Sequence, residues 1–112
     1  MKIHNNFSLI NHNSFGIEAN AEKFVSISTV QELEKIIVSY HNEEKVFIGG
    51  GSNILITRNI KGLVINLNMK GISSKKINNN HSEVKINSGE NWNDSVKWCL
   101  KNNLGGIENL SL

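Results

Sequence analysis

This sequence of 112 residues has few of the features that mark disulfide-bonded, nucleic-acid-binding, secreted or membrane proteins. Its single cysteine, Cys99, excludes an internal disulfide and agrees with a reducing compartment. The net charge of +2 comes from scattered lysines and one arginine, Arg58, so no basic surface for nucleic acid is predicted. No apolar run is long enough for a signal peptide or a membrane span, so we expect a cytoplasmic location without membrane contact.

Metal-ligating and catalytic constellations are also missing from the sequence. The histidines at positions 4, 12, 41 and 81 do not pair at a metal-ligand spacing, so no metal site is predicted. Cys99 falls among apolar positions at helical spacing, which favours a small buried side chain over a nucleophile. Glu90 and Glu108 lie near glycine-rich turns, but no spacing rule makes them an acid and base pair. We assign neither carboxylate a catalytic role.

The most informative stretch is Gly49-Gly50-Gly51-Ser52-Asn53-Ile54-Leu55, which follows the apolar run Val46-Phe47-Ile48. Consecutive glycines have no Cβ, so their backbone can turn several N–H groups toward one phosphate. Ser52 and Asn53 add a hydroxyl and an amide that can donate to phosphate oxygens. A Walker loop would need Gly-Lys-Ser/Thr, and a Rossmann fingerprint would need glycine in place of Ile54. The stretch predicts either a diphosphate cradle of another kind or a tight turn between strands.

The first half of the chain predicts a parallel crossover. Residues 24–28 alternate like a short strand, and Thr29 with Glu32 has the pattern of a capping box that begins a helix. Apolar positions 33, 36, 37 and 40 form one helical face, which we expect to pack on a sheet. The strand at 46–48 should then run parallel to the first, in a right-handed crossover. This puts the glycine stretch at the carboxyl end of a parallel strand, where ligands bind in open α/β sheets.

The next residues predict a change of sheet type. After a turn at 59–62, residues 63–67 have the composition of a strand buried on both faces, which completes a three-stranded layer. Residues 71–77 and 83–87 flank a polar loop, as in an antiparallel hairpin. The expected fold is therefore α+β, with a small parallel layer followed by the start of an antiparallel sheet.

The end of the sequence predicts a second helix. Asn91 is a suitable N-cap, Trp92 is expected to face the core, and Gly105-Gly106 should end the helix. The last residues then stop inside an apolar run without a closing element. We therefore expect the chain to be truncated.

Four segments that occur in one order connect the sequence to a known family. They are Asn13-Ser14-Phe15-Gly16-Ile17, the glycine stretch, Gly89-Glu90-Asn91-Trp92 and Gly105-Gly106-Ile107-Glu108-Asn109-Leu110-Ser111-Leu112. Together they resemble the UDP-N-acetylenolpyruvoylglucosamine reductases, also called UDP-N-acetylmuramate dehydrogenases. The resemblance implies an N-terminal segment at 1–12, followed at 13–112 by the N-terminal part of an FAD-binding fold of the vanillyl-alcohol oxidase (PCMH) type. The substrate domain would be absent.

The resemblance also implies a chemistry for the parent protein. NADPH would reduce FAD, and the flavin would pass hydride to a UDP-sugar substrate, in a cytoplasmic step of peptidoglycan precursor synthesis. Gly49, Gly50, Gly51, Ser52 and Asn53 would contact the FAD diphosphate, with Ile54 as a less certain neighbour. The family's catalytic serine, arginine and glutamate lie later in the chain, so no catalytic residue is assigned here and the fragment is expected to be inactive.

Two alternatives remain open at this point. The chain could be a non-catalytic module that retains FAD or another nucleotide, or a structural remnant whose glycine turn binds nothing. A remnant would leave apolar surface and a sheet edge unpaired. The residues do not indicate an oligomeric state.

Overall fold

The protein is described by a computed structural model that covers residues 1–49 and 56–108. It forms two compact units, divided between Met69 and Lys70. The elements of the first unit are β1 (His4–Ser8), β2 (Asn20–Ile27), α1 (Val30–Ser39), β3 (Lys45–Ile48) and β4 (Ile60–Leu67). Those of the second unit are β5 (Ile72–Lys76), β6 (Ser82–Ile86) and α2 (Trp92–Lys101). A mainly parallel sheet, a separate antiparallel hairpin and two helices in the described residues confirm the predicted α+β class.

The sheet of the first unit has the strand order β1-β2-β4-β3, and β2, β4 and β3 run parallel. The predicted parallel arrangement of the strands on either side of α1 is confirmed, and β4 lies between them. The predicted three-stranded layer was wrong, because β1 adds a fourth strand antiparallel to β2. Of the side chains of β1 only Phe7 is half-buried, so its sequence lacks the alternation that marks a strand.

A close backbone approach fixes the start of β4. The strand begins at Ile60, and the turn predicted at 59–62 was wrong because Gly62 continues the strand with a φ of +89°. The carbonyl oxygen of Glu44 accepts the N–H of Leu63 at 2.9 Å. A Cβ at Gly62 would overlap that same carbonyl group. Only glycine combines this φ with this contact at no steric cost.

Each face of the sheet carries a buried cluster under a different part of the chain, whereas Val46 and Phe47 of β3 are exposed. The cluster on one face includes Ile36 of α1 and consists of Val25, Ile27, Ile36, Leu63 and Ile65. The cluster on the other face consists of Leu9, Ala19, Ala21, Phe24, Ile48, Ile56 and Val64. Consecutive residues of β4 alternate between the two clusters, and residues 63–65 are fully buried. This confirms the prediction of a strand covered on both faces.

Helix α1 begins as its capping pattern predicts. The N–H of Glu32 donates to the Thr29 hydroxyl at 3.1 Å, and the Glu32 carboxylate accepts the N–H of Ser28 at 3.0 Å. Ile36 is buried against the sheet, whereas Ile37 is 43% exposed. The prediction that Ile37 belongs to the buried face was therefore wrong, because the stripe of contact is narrower than the apolar face of the helix.

The second unit confirms the predicted hairpin, since β5 and β6 pair antiparallel. Helix α2 begins after Asn91, whose side chain accepts the N–H of Asp94 at 3.0 Å. Trp92 is 37% exposed in the first turn, so its predicted core position was wrong. The predicted end of the helix at Gly105-Gly106 was also wrong. The helix ends at Lys101, and Asn103 takes the left-handed conformation with a φ of +59°.

We predict that Gly62→Ala destabilises the first unit more than Gly16→Ala does. Both glycines have positive φ, so both variants carry backbone strain of about 1 kcal/mol. A Cβ at Gly62 also overlaps Glu44, which adds about 1–3 kcal/mol, while a Cβ at Gly16 meets no atom within 4 Å. Urea unfolding of the two variants measures the difference. Equal losses of stability would show that β3 can move away from β4 at little cost.

Candidate functional site

The glycine stretch begins at the carboxyl end of β3. Gly49 directly follows Ile48, the last residue of that strand. The remaining site residues predicted from the sequence, Gly50, Gly51, Ser52, Asn53 and Ile54, lie outside the described residues. Because β2, β4 and β3 are parallel, their carboxyl ends meet at one edge of the sheet. The structure thus places the start of the stretch at the edge where open parallel sheets bind their ligands.

A row of residues just inside this edge carries two polar side chains. Asn66 of β4 pairs in register with Ser26 of β2 on one side and with Ile48 of β3 on the other. The Asn66 amide donates to the Ser26 hydroxyl at 3.2 Å. We call Ser26 and Asn66 the polar pair. Because Ser26 is exposed and Asn66 is half-buried, the polar pair can reach a ligand at this edge.

The start of α1 lies at the same edge, because the helix follows β2. Its carboxylate, Glu32, is already engaged by the capping bonds and by the N-terminal ammonium of Met1, 4.0 Å from the second carboxylate oxygen. In the described part of this edge, the polar pair therefore offers neutral hydrogen-bonding groups. The negative charge of the Glu32 carboxylate is balanced by the backbone N–H of Ser28 and by the Met1 ammonium. Such an arrangement suits the binding of a polar or anionic group, but it does not supply an acid or a base for catalysis.

The loop at 13–17 is held by the buried side chain of Asn13. Its amide donates to the carbonyl oxygens of Leu9 at 2.8 Å and Ile17 at 3.1 Å, and its side-chain oxygen accepts the N–H of Ile17 at 3.0 Å. These bonds join Asn13, the first residue of the loop, to Leu9 before the loop and to Ile17 at its end. The loop has the predicted irregular conformation. They also give the asparagine of this family segment a structural role. Next to it, Phe15 is 60% exposed.

The carboxylates of Glu90 and Glu108, to which no catalytic role is assigned, are engaged in structural contacts. Glu90 accepts the N–H of Gly71 at 2.7 Å, and Glu108 accepts the N–H of Gly106 at 2.6 Å. The backbone N–H groups of Glu108 itself, Gly106 and Ile107 lower the pKa of Glu108. These bonds give both carboxylates a structural role.

Glu43, in the loop before β3, also has a structural contact. It forms an ion pair with Lys23, and this hydrogen bond raises the pKa of Lys23. The two residues are 20 positions apart, and only the fold brings them together.

Other candidate groups do not form a second site. Cys99 is 2% exposed, which confirms the prediction of a buried side chain. Across residues 1–49 and 56–108, no three histidine, cysteine, aspartate or glutamate side chains are grouped to hold a metal ion. Neither helix in this part of the chain has the length and hydropathy needed to cross a bilayer.

Comparison with known proteins gives one consistent result. A family model described as FAD binding domain matches residues 21–112. UDP-N-acetylenolpyruvoylglucosamine reductase of Flavobacterium johnsoniae is 46% identical over the whole chain, and that of Amoebophilus asiaticus is 37% identical over the whole chain. The protein of the same name from Bacteroides fragilis is 34% identical over 95% of the chain. The chain spans about a third of the length of these relatives. The resemblance drawn from the four sequence segments is confirmed.

We predict that Glu108 titrates below the ordinary glutamate value of about 4.3, because backbone N–H groups stabilise its ionised form. A carboxyl NMR titration measures the midpoint directly. A group whose pKa is lowered by folding stabilises the fold above its unfolded pKa and loses that contribution as the pH falls through its folded value. The stability advantage of the wild type over Glu108→Gln should therefore shrink below about pH 4. An advantage that is independent of pH would contradict the lowered pKa.

Proposed function

The chain belongs to the FAD binding domain family, and from this premise we propose that its glycine stretch holds the diphosphate of FAD. The proposed contacts are Gly49, Gly50, Gly51, Ser52 and Asn53, with Ile54 beside them. The observation that carries the proposal is the position of Gly49 at the common carboxyl edge of three parallel strands. Consecutive glycines have no Cβ, so a sequence of them after that strand end would let a phosphate approach the backbone N–H groups closely.

The described residues around this edge fit a diphosphate. A doubly charged group needs hydrogen-bond donors and the absence of an uncompensated carboxylate. The polar pair supplies a hydroxyl and an amide, and the carboxylate of Glu32 already accepts a backbone N–H at 3.0 Å. Binding and orientation of the cofactor are therefore the proposed roles of this part of the chain.

We further propose that residues 13–112 are the N-terminal part of an FAD-binding domain in an enzyme like its relatives. The name of those relatives denotes the reduction of UDP-N-acetylenolpyruvoylglucosamine. FAD, when bound, would supply the hydride chemistry, with NADPH as reductant and a UDP-sugar as substrate, in the cytoplasmic synthesis of peptidoglycan precursors. The described residues are proposed to bind and orient the cofactor, and the groups that contact the reacting atoms of the substrate are proposed to lie outside this chain.

We predict that Gly50→Asp weakens FAD binding to the purified chain by about tenfold or more. The substitution adds a side chain and a negative charge where the diphosphate is proposed to lie, and a tenfold change corresponds to about 1.4 kcal/mol. Flavin fluorescence during FAD titration measures the affinity. Asn79→Asp is the matched control, because it adds the same charge in the exposed loop between β5 and β6.

The outcomes of this titration separate the alternatives. Saturable binding that is lost in Gly50→Asp and kept in Asn79→Asp supports the proposed site. Equal affinities of all three chains would contradict it. A folded chain that binds no FAD would favour a structural role.

We predict that Asn66→Ala lowers the FAD affinity by a smaller factor. Its amide is one neutral hydrogen-bonding group at the proposed edge, and a lost hydrogen bond of about 0.5–1.5 kcal/mol corresponds to roughly two- to twelvefold. Asn20→Ala serves as control, because Asn20 lies at the opposite end of β2 and its amide donates to Asn6. The same fluorescence titration measures both variants. If Asn20→Ala lowers the FAD affinity as much as Asn66→Ala does, the polar pair is not part of the site.

A further inference from the structure

A cavity in the first unit lies at the edge of the sheet opposite to Gly49. Its volume is about 510 Å³, and its lining consists of Glu44, Val46, Arg58, Asn59, Ile60 and Lys61. Glu44 directly precedes β3, and Arg58 and Asn59 directly precede β4. The cavity therefore lies at the amino ends of these parallel strands, whereas the proposed diphosphate contacts follow the carboxyl end of β3. We call it the basic cavity.

Two hydrogen bonds hold the backbone around the basic cavity in place. The carbonyl oxygen of Glu44 accepts the N–H of Leu63 at 2.9 Å. The side-chain oxygen of Asn59 accepts the backbone N–H of Asn20 at 2.9 Å. Because this oxygen is engaged, the Asn59 side chain keeps its amide N–H groups for a ligand.

The charged side chains of the basic cavity are two cations and one carboxylate. Arg58 and Lys61 are exposed, and neither forms an ion pair with another residue of 1–49 or 56–108. Glu44 supplies the carboxylate, so the lining carries one net positive charge. The neighbouring carboxylate of Glu22, on β2, already accepts the N–H of Gly62 at 3.1 Å. A guanidinium and an ammonium at one cavity are typical donors to a carboxylate or phosphate group.

The floor of the basic cavity is apolar. Ile60, the first residue of β4, packs against the buried cluster that includes Leu9 and Phe24. Val46 of β3 is 38% exposed. Apolar side chains beside charged donors suit a ligand that has an apolar part next to its charged group. The lining therefore matches an organic anion better than an inorganic one.

We propose that the basic cavity binds a small organic anion. Arg58, Lys61 and the Asn59 amide hold its carboxylate or phosphate group, and the apolar part lies on Val46. Because Glu44 belongs to the same lining, a singly charged group is favoured over a doubly charged one. The inference concerns the edge opposite to the glycine stretch and does not rest on the proposed binding of FAD.

An NMR titration of the purified chain with benzoate at low salt tests the proposal. We expect saturable shifts of the Val46 methyl groups and of the Arg58 side-chain N–H. Arg58→Gln should weaken benzoate binding by about fivefold or more, because it removes charge-assisted hydrogen bonds. Lys35→Gln is the matched control, since it removes one cation from the exposed surface of α1. It should leave the affinity within about twofold.

Two further comparisons test the parts of the site separately. Glu44→Gln should tighten the binding of phenyl phosphate, which is doubly charged at about pH 8, by a larger factor than that of benzoate. Acetate, which lacks the ring, should bind more weakly than benzoate to the wild type, and Val46→Ser should reduce this difference.

Several results would overturn the proposal. They are the absence of saturable shifts in a folded chain, equal affinities of Arg58→Gln and Lys35→Gln, and equal affinities of the wild type for benzoate and acetate. Benzoate binding that is lost in Gly50→Asp and kept in Arg58→Gln would also overturn it, because the anion would then bind at the glycine stretch.

Discussion

The first unit depends on the burial of β4 between two parallel strands and two apolar layers. The three side chains from Leu63 to Ile65 are fully enclosed. A strand in this position has no solvent face, so its backbone groups must pair with β2 on one side and β3 on the other. That pairing sets the register, because a shift by one residue would move every apolar side chain to the wrong face.

The register of β4 in turn determines which residues lie at the edge that carries the candidate site. Ser26, Asn66 and Ile48 lie in one row because their strands pair at these residues, and Gly49 follows one position later. At the opposite end of β4, Gly62 allows the backbone to approach Glu44, and the pairing of β3 with β4 begins one residue later, at Lys45 and Leu63. The position of the candidate site is thus a consequence of packing at both ends of one strand.

Local patterns allowed much of the fold to be predicted. The cap of α1, the N-cap of α2, the hairpin and the position of the glycine stretch each depend on residues a few positions apart. β1 escaped prediction because it is a polar strand at the edge of the sheet, recognised only through its pairing with β2. The polar pair could not be predicted either, since Ser26 and Asn66 are 40 positions apart and meet only through the register of two strands. The helical spacing of apolar residues also predicted too much burial at Ile37 and Trp92. This spacing identifies the apolar face of a helix, but it does not show how much of that face a neighbouring element covers.

The two units bury their apolar side chains in different ways. In the first, α1 and the N-terminal segment with Leu9 cover the two faces of one sheet with residues of this chain. In the second, Val84 and Ile86 face a cavity, and the described strands pair only with each other. The proposed diphosphate contacts begin on the first unit, directly after β3, so the proposed cofactor binding depends on a sheet whose central strand is fully buried from Leu63 to Ile65.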